Sequence, residues 1–531
     1  MAPSNPQQEE ESLTSLGERI ARLVHAHFDR LPPRSKPILR DDGTREWMPM
    51  CGVVVVREGG GLSDGEEEEL TCVAVTSGAK CLPSSQLPNC TGLVLHDWHA
   101  EILALRAFNH WLLSEVRSIL TSPSSSSSSS GPSSESKSTP SKFIQRRTTT
   151  SNTENGNMIP FELNPTLKIY LYCTTAPCGD ASMELTMAAQ DDPTPWEILP
   201  SSSSTTPTET KELDLLTGRG HFSRLGIVRR KPARADAPST LSKSCSDKLA
   251  LRQVSSLISA EMGLLVNVTP NVYLAGVVMP ASEVSAVGCE RAFGSSGRMA
   301  PLIHSRSQSQ YQGEGGDRYH YHPFSILPVE DKIVNGLWQY GKPTSRTDRC
   351  KPGTISAVWT AAPSLLSSSS SGGGGDGIGD VYAAQNGAKQ LPKLYGSQTG
   401  LYETIINGMK QGFKASAPVG KGASALSRAR MWGGLRDLAL SVSLLGSCEG
   451  SGDGDETGEV EEWVNQVNKV AAASSYAEFK RAMLGTPAGR ARQRAISEAK
   501  KVLVPWVPNE GDDEWGLDVL TIDNKGKKRK R

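Results

Sequence analysis

The chain has 531 residues, and 57 Lys and Arg stand against 57 Asp and Glu, so its formal net charge is zero. That balance excludes a protein that coats nucleic acid through bulk charge, but it leaves room for a local basic surface. No run of about 18 apolar residues exists to span a membrane, and the start MAPSNPQQEEES lacks the basic opening and apolar run of a secretory signal. Ten cysteines without dense spacing do not make a secreted disulfide framework. A reducing compartment is expected, which leaves thiols available for metal.

At roughly 150 residues per domain, the length allows about three domains. Several tracts lower that number. Residues 122–157, 199–211, 364–380 and 447–462 are dominated by Ser, Thr, Gly or acidic side chains. With the two chain ends, roughly 100 residues carry too little apolar surface to fold. The expectation is one domain over 15–515 with insertions in its surface loops. It lies between a disordered stretch, 1–14, and a basic tail, 516–531.

In chain order, Ile20, Leu23, Val24, His27 and Phe28 recur at helical spacing, and Pro32-Pro33 stop a helix predicted over 15–31. Residues 52–57 and 71–76 are β-branched runs around a Gly-rich, acidic loop, which predicts a hairpin with a long turn. A buried helix follows over 98–120, then a strand over 167–173, with a helix start behind Pro177-Cys178. Residues 245–260 are predicted helical and 272–279 a strand. Further helices are predicted over 282–293, 399–412, 424–443 and 487–503. This order predicts a mixed α/β fold with helices layered on a sheet.

Three places carry metal-binding side chains: His99-Ala100-Glu101, Pro177-Cys178-Gly179-Asp180, and Ser244-Cys245-Ser246-Asp247-Lys248. A catalytic zinc takes three protein ligands and keeps a fourth position for water. His99, Cys178 and Cys245 fill three positions, and both cysteines fall where a helix start would favour the thiolate. Glu101, outside the ligand set, would carry the proton between water and substrate. Gly179 would allow close backbone approach, and Asp180 and Asp247 would accept hydrogen bonds behind the ligands. Cys51, Cys72, Cys81, Cys90, Cys173 and Cys289 are expected to be core or surface thiols. His320 and His322 are expected in a solvated loop.

The zinc nucleobase deaminases share H-x-E followed by P-C-x-x-C. Here position 181 is Ala, which breaks the second element, so the second thiolate must come from Cys245. With GAKC (78–81), HAEI (99–102), PCGDA (177–181), SCSDK (244–248) and IARLVHAHFDRLP (20–32), the chain resembles the adenosine deaminases acting on RNA. The resemblance covers most of 15–300 and continues more weakly to about 515. It implies a mixed-sheet, cytidine-deaminase-like α/β core with helices on its faces and an elaborated C-terminal helical region. It also implies zinc-dependent hydrolysis of adenosine to inosine.

Only about 14 residues precede the first helix, too few for a double-stranded-RNA-binding module. The run 227–248 is similar to that of the tRNA-specific branch, which acts on the adenosine just 3′ of the anticodon of alanine tRNA. A tRNA anticodon arm is therefore the expected partner. Lys80, Arg224, Arg229, Arg230, Lys231 and Arg234 would contact its phosphates. Editing of another structured or messenger RNA, and a non-catalytic RNA-binding role, stand as alternatives. The resemblance further implies a buried inositol hexakisphosphate, held by Arg106, Lys248, Lys389, Tyr476, Lys480, Arg490 and Trp506. The tail has six basic residues among its last seven. It suits a nuclear signal or an RNA contact, so the nucleus, the cytoplasm or both are the expected location.

Overall fold

A computed structural model describes residues 15–58, 68–121, 141–147, 159–189, 224–231, 238–304, 319–343, 348–364, 398–446 and 456–521. The strands are β1 (Arg45–Trp47), β2 (Met50–Arg57), β3 (Glu69–Ser77), β4 (Ile144–Arg146), β5 (Phe161–Leu163), β6 (Leu167–Cys173), β7 (Leu274–Pro280), β8 (Ser325–Val329), β9 (Cys350–Pro352), β10 (Ile355–Ala361), β11 (Thr399–Ile406) and β12 (Met409–Lys410). The helices are α1 (Leu16–Asp29), α2 (Ala100–Thr121), α3 (Met183–Ala188), α4 (Cys245–Ser255), α5 (Ala286–Phe293), α6 (Ala300–His304), α7 (Asp331–Leu337), α8 (Arg428–Gly446), α9 (Glu456–Ala471), α10 (Tyr476–Leu484) and α11 (Pro487–Val502).

Eight strands form one sheet in the order β12-β11-β10-β3-β2-β6-β7-β8. Strand β2 is its buried centre, as the run GVVVV suggests for a strand covered on both faces. Successive side chains alternate faces. Gly52, Val75 and Trp359 share one face, where His27 of α1 meets Trp359 with ring centroids 5.0 Å apart. Cys51 and Thr76 point the other way, where Thr76 donates to the Ala100 carbonyl of α2 at 2.7 Å. The two helices therefore lie on opposite faces. Both β3 and β6 run antiparallel to β2, so they run parallel to each other. Their C-terminal ends share one edge of the sheet, and the predicted ligands follow those ends.

The helix predicted over 399–412 is instead the hairpin β11–β12. Its Asn407-Gly408 turn has φ of 50° and 78°, which suits a two-residue hairpin turn in which both central residues have positive φ. Strand β11 pairs with β10, burying Leu401, Tyr402 and Ile405. His320 and His322 do not sit in a solvated loop. Both are partly buried, and His322 stacks on Tyr273 at 3.8 Å. The insertion predicted over 447–462 stops earlier, since α9 begins at Glu456. Within 122–157, β4 pairs with β5. The tract 199–211, most of 364–380 and the tail beyond Thr521 lie outside the described residues, whereas Leu517–Leu520, expected in the tail, forms a 3-10 turn packed on the core.

The C-terminal helices enclose a second part of the core around Trp432, which meets Phe479 and Trp515 at 5.3 and 5.8 Å. A buried carboxylate ties the edges of two of the Ser-rich tracts to α2. Glu115 accepts from Ser141 Oγ at 2.9 Å, from the Ser364 amide at 2.9 Å and from Ser364 Oγ at 3.0 Å. Burial pushes the Glu115 carboxyl up, opposed by these serine hydrogen bonds. Removing it leaves buried donors without an acceptor. Glu115→Ala is expected to lower unfolding stability by roughly 1–3 kcal/mol, read from the urea midpoint, with Glu115→Gln losing less.

Candidate metal centre

Three chain segments meet at the shared edge of β3 and β6. His99 lies just before α2, Cys178 follows β6, and Cys245 opens α4. The α4 start is capped by Ser244, whose hydroxyl accepts from the Asp247 amide at 3.2 Å. Ser246 clasps the Cys178 loop: its amide donates to the Cys178 carbonyl at 3.0 Å, and its hydroxyl donates to the Pro177 carbonyl at 3.1 Å. Between these segments Gly179 has φ of 107°, and a Cβ there would stand 2.2 Å from Ser244 Oγ. Only glycine allows that approach.

His99 Nδ1 lies 3.7 Å from Cys245 Sγ and 4.0 Å from Cys178 Sγ. All three donor atoms lie within 4.8 Å of one another. Tetrahedral bonds of about 2.0–2.3 Å put donors roughly 3.3–3.8 Å apart, so the set fits a zinc ion with little movement. Glu101 sits in the first turn of α2, only 3% exposed. Its Oε2 is buried with no hydrogen-bond partner. Burial pushes the carboxyl up, partly opposed by His99. A buried carboxyl thus lies two residues from His99, and one of its oxygens meets no protein donor.

The Cys178 thiol is held far below its ordinary range by the hydrogen bond with Cys245, with Lys231 and His99 adding to the effect. The expected helix dipole contributes little, because a single 3-10 turn and the six-residue α3 follow Cys178. A buried lysine takes that role. Lys231 Nζ lies 3.3 Å from Cys245 Sγ and 2.9 Å from Asp97 Oδ2. Asp97 also accepts from the His99 amide at 3.0 Å, from Ser242 Oγ at 2.7 Å and from Lys248. Burial alone would raise the Asp97 carboxyl, but Lys231 and Lys248 hold it well below its usual range. Behind the ligands, Asp247 accepts from the Arg229 amide at 3.0 Å and from Arg298 at 2.7 Å. Asp180 accepts from the Gly226 amide at 2.8 Å and from Arg291 at 3.0 Å.

This geometry corrects the expected RNA strip. Arg229 and Lys231 are 1% and 4% exposed, so they hold the centre from inside and offer nothing to a phosphate. Arg224 is exposed, Arg230 and Lys80 are partly buried, and Arg234 lies outside the described residues.

The residues expected around a polyanion are divided too. Arg106, at the heart of α2, donates to the Leu426 carbonyl at 3.1 Å. Burial lowers its pKa, and Arg428 adds to the effect. Arg252 is pushed down to about 9 by burial, then by Arg492 and Arg106. A buried Nε of Arg492 has no hydrogen-bond partner. Tyr476 faces the same cations, with Arg428 5.8 Å above its ring and Trp515 stacked at 4.7 Å. Trp506 stands between Lys243 and Lys500, at 5.6 and 5.8 Å. Lys480, by contrast, is exposed and paired with Asp513, and Arg490 is exposed and bonded to the Gly485 carbonyl. Lys389 lies outside the described residues. Arg252, Arg428 and Arg492 therefore join the cluster, Lys480 touches it only over the Tyr476 ring at 5.7 Å, and Arg490 leaves it. The signal for Arg492 lies in the helical period: it shares a face with buried Ala495 and Ala499, three and seven residues on, and Arg490 does not.

The family profile of the adenosine-deaminase (editase) domain matches residues 74–383. The chain is 34% identical over 347 residues to the tRNA-specific adenosine deaminase 1 of Schizosaccharomyces pombe, spanning 65% of this chain and 75% of that protein. It is 35% identical over 248 residues to the Saccharomyces cerevisiae protein of the same name, spanning 46% and 54%. A lower likeness, 26% over 243 residues, reaches double-stranded RNA-specific editase B2 of Mus musculus, spanning 43% and 26%. The matched residues contain every loop that brings His99, Glu101, Cys178 and Cys245 together, and the chain belongs to the adenosine-deaminase (editase) domain family.

Proposed function

We propose that this chain deaminates adenosine to inosine in tRNA, and that its target is the adenosine just 3′ of the anticodon of alanine tRNA. The observation that carries the chemistry is the convergence of His99, Cys178 and Cys245 beside a buried Glu101 whose Oε2 has no protein partner. The names of the two yeast relatives support tRNA as the substrate. The likeness to an editase of double-stranded RNA keeps a second substrate, another structured RNA, as the alternative.

His99, Cys178 and Cys245 would hold zinc. The ion, when bound, makes a coordinated water acidic enough to attack at neutral pH. Glu101 would take one proton from the attacking water and deliver it to the adenine ring nitrogen next to C6. It then carries the second proton to the departing amino group, so adenosine and water become inosine and ammonia. Its burial suits both roles, since a carboxyl pushed up by its surroundings gives and takes protons readily. Lys231 and the Asp97 carboxylate keep the Cys245 thiol in place while the proton moves.

The cluster of Arg106, Arg252, Arg428 and Arg492, with Lys248, Tyr476 and Trp506, would hold inositol hexakisphosphate. Arg106 and Arg252, each pushed down by burial and then by neighbouring guanidinium groups, fit an anion of high charge.

Replacing Glu101 with Gln is expected to cut turnover by roughly 10²–10⁴-fold while zinc content by mass spectrometry stays the same. Unchanged turnover at unchanged zinc would remove Glu101 from proton transfer. Sequencing total tRNA after incubation with the purified protein should reveal new inosine next to the alanine anticodon, and inosine elsewhere would reassign the substrate. Acid-denatured protein should release inositol hexakisphosphate, and Arg252→Ala should lower the amount retained. Release of no inositol phosphate from the intact chain would overturn the cofactor.

A further inference from the structure

Helix α11 carries five basic residues, Arg490, Arg492, Arg494, Lys500 and Lys501, and one acid, Glu498. In a chain of zero net charge, that concentration needs a cause. The helical period divides it. Arg492 turns inward with Ala495 and Ala499, toward the cation cluster. Arg490, Arg494 and Lys501 share the opposite face with Ser497, and all four are exposed. Among the described residues, Arg494 meets no acid, and Arg490 bonds only a carbonyl. Lys501 pairs with Glu498 at 2.6 Å across one turn, a surface contact worth little. The stripe runs roughly 16 Å at 1.5 Å per residue.

Its C-terminal end approaches the metal centre. The Val228 amide donates to the Val504 carbonyl at 3.0 Å, just past the end of α11. Two residues earlier, the Gly226 amide donates to Asp180, two residues after Cys178. Summed along that path at no more than about 3.6 Å per residue, Val504 lies within roughly 25 Å of Cys178. Exposed Arg224 sits on the same connecting segment. Two basic surfaces, Arg224 near the rim of the centre and the outer face of α11, are thereby joined through the contact of Val228 with Val504.

We infer that the outer face of α11 binds the phosphate backbone of the tRNA outside the anticodon stem-loop, while the loop enters the centre. This rests on the tRNA substrate proposed above. The chemistry that recommends RNA is charge complementarity: exposed guanidinium groups and an ammonium in line, with Ser497 among them, match a chain of phosphates and offer little to a protein core.

The test uses the full chain carrying Arg494→Glu and Lys501→Glu together, two exposed positions outside the ligand set and the cation cluster. Thermal melting checks that the fold is kept. KM and kcat are measured on intact tRNA and on an isolated anticodon stem-loop, and direct binding of intact tRNA is followed by anisotropy across salt concentrations. The expected result is a KM on intact tRNA raised by about tenfold or more, with kcat unchanged, and a salt slope reduced by roughly 1–2. The stem-loop KM should not move. Wild-type affinity and slope on intact tRNA would overturn the inference, as would an equal loss on the stem-loop. The binding arm reads the stripe even where no inosine forms, so failure of the substrate and failure of the stripe are told apart.

Discussion

The centre depends on one buried carboxylate. Asp97 is enclosed in the interior, yet it stays ionised because Lys231 and Lys248 both reach it. Its oxygens tie the His99 amide to Ser242, three residues before Cys245. Lys231 then bridges from Asp97 to the Cys245 sulfur. The segment before α2 and the start of α4 are thereby locked together, although 145 residues separate Asp97 from Ser242. Loss of either lysine would leave a buried charge short of a partner, which costs far more than loss of a surface pair. The interaction does not act alone. Ser246 holds the Cys178 loop against α4, and the three ligand segments form one rigid corner.

The sheet decides where that corner is. Because β3 and β6 run parallel with β2 between them, both chains leave the sheet at the same edge. His99 follows the first and Cys178 the second. Helix α4, which lies between β6 and β7 in sequence, supplies Cys245 from its first residue. The ordering principle is topological, so long inserts elsewhere in the chain do not disturb it. Glu115 shows how they are tolerated. It anchors Ser141 and Ser364, described positions beside two of the Ser-rich tracts, on the far part of α2, about four helical turns from Glu101 and out of the ligand corner.

Motif and period made much of this legible. HAE, PCGDA and SCSDK pointed to side chains that the fold does bring together, and helices and strands with strong apolar period fall within a few residues of their expected positions. What failed shares a cause. The basic run 229–231 reads as surface, because local sequence contains nothing of Asp97 or Asp247, the acids that draw it inside. The segment 399–412 is expected to be helical, and the Asn407-Gly408 turn, with positive φ at both residues, makes it a hairpin. Arg490 is what the family resemblance implies, whereas the period of α11 with Ala495 and Ala499 selects Arg492. Arg252 and Arg428 joined the cation cluster through tertiary contact, which no local window holds.

The zero net charge conceals an uneven distribution with structural consequences. Arg106, Arg252, Arg428 and Arg492 crowd one interior, with Glu261 the acid that acts on both Arg106 and Arg252. Lys243 is depressed to about 7 by burial and then by Lys248 and Lys500. Such groups repel one another, and burial removes the water that would screen them. A fold that gathers them must recover that energy from an anion, or from losing protons. Guanidinium groups do not readily lose protons, so an anion bound there would relieve much of that repulsion. Lys248 stands at the junction, since it belongs to the crowd around Lys243 and also binds Asp97. Neutralising the cluster therefore bears on the contact between Lys248 and Asp97 as well. The stability of the interior and the geometry of the metal centre are thus set by the same charges.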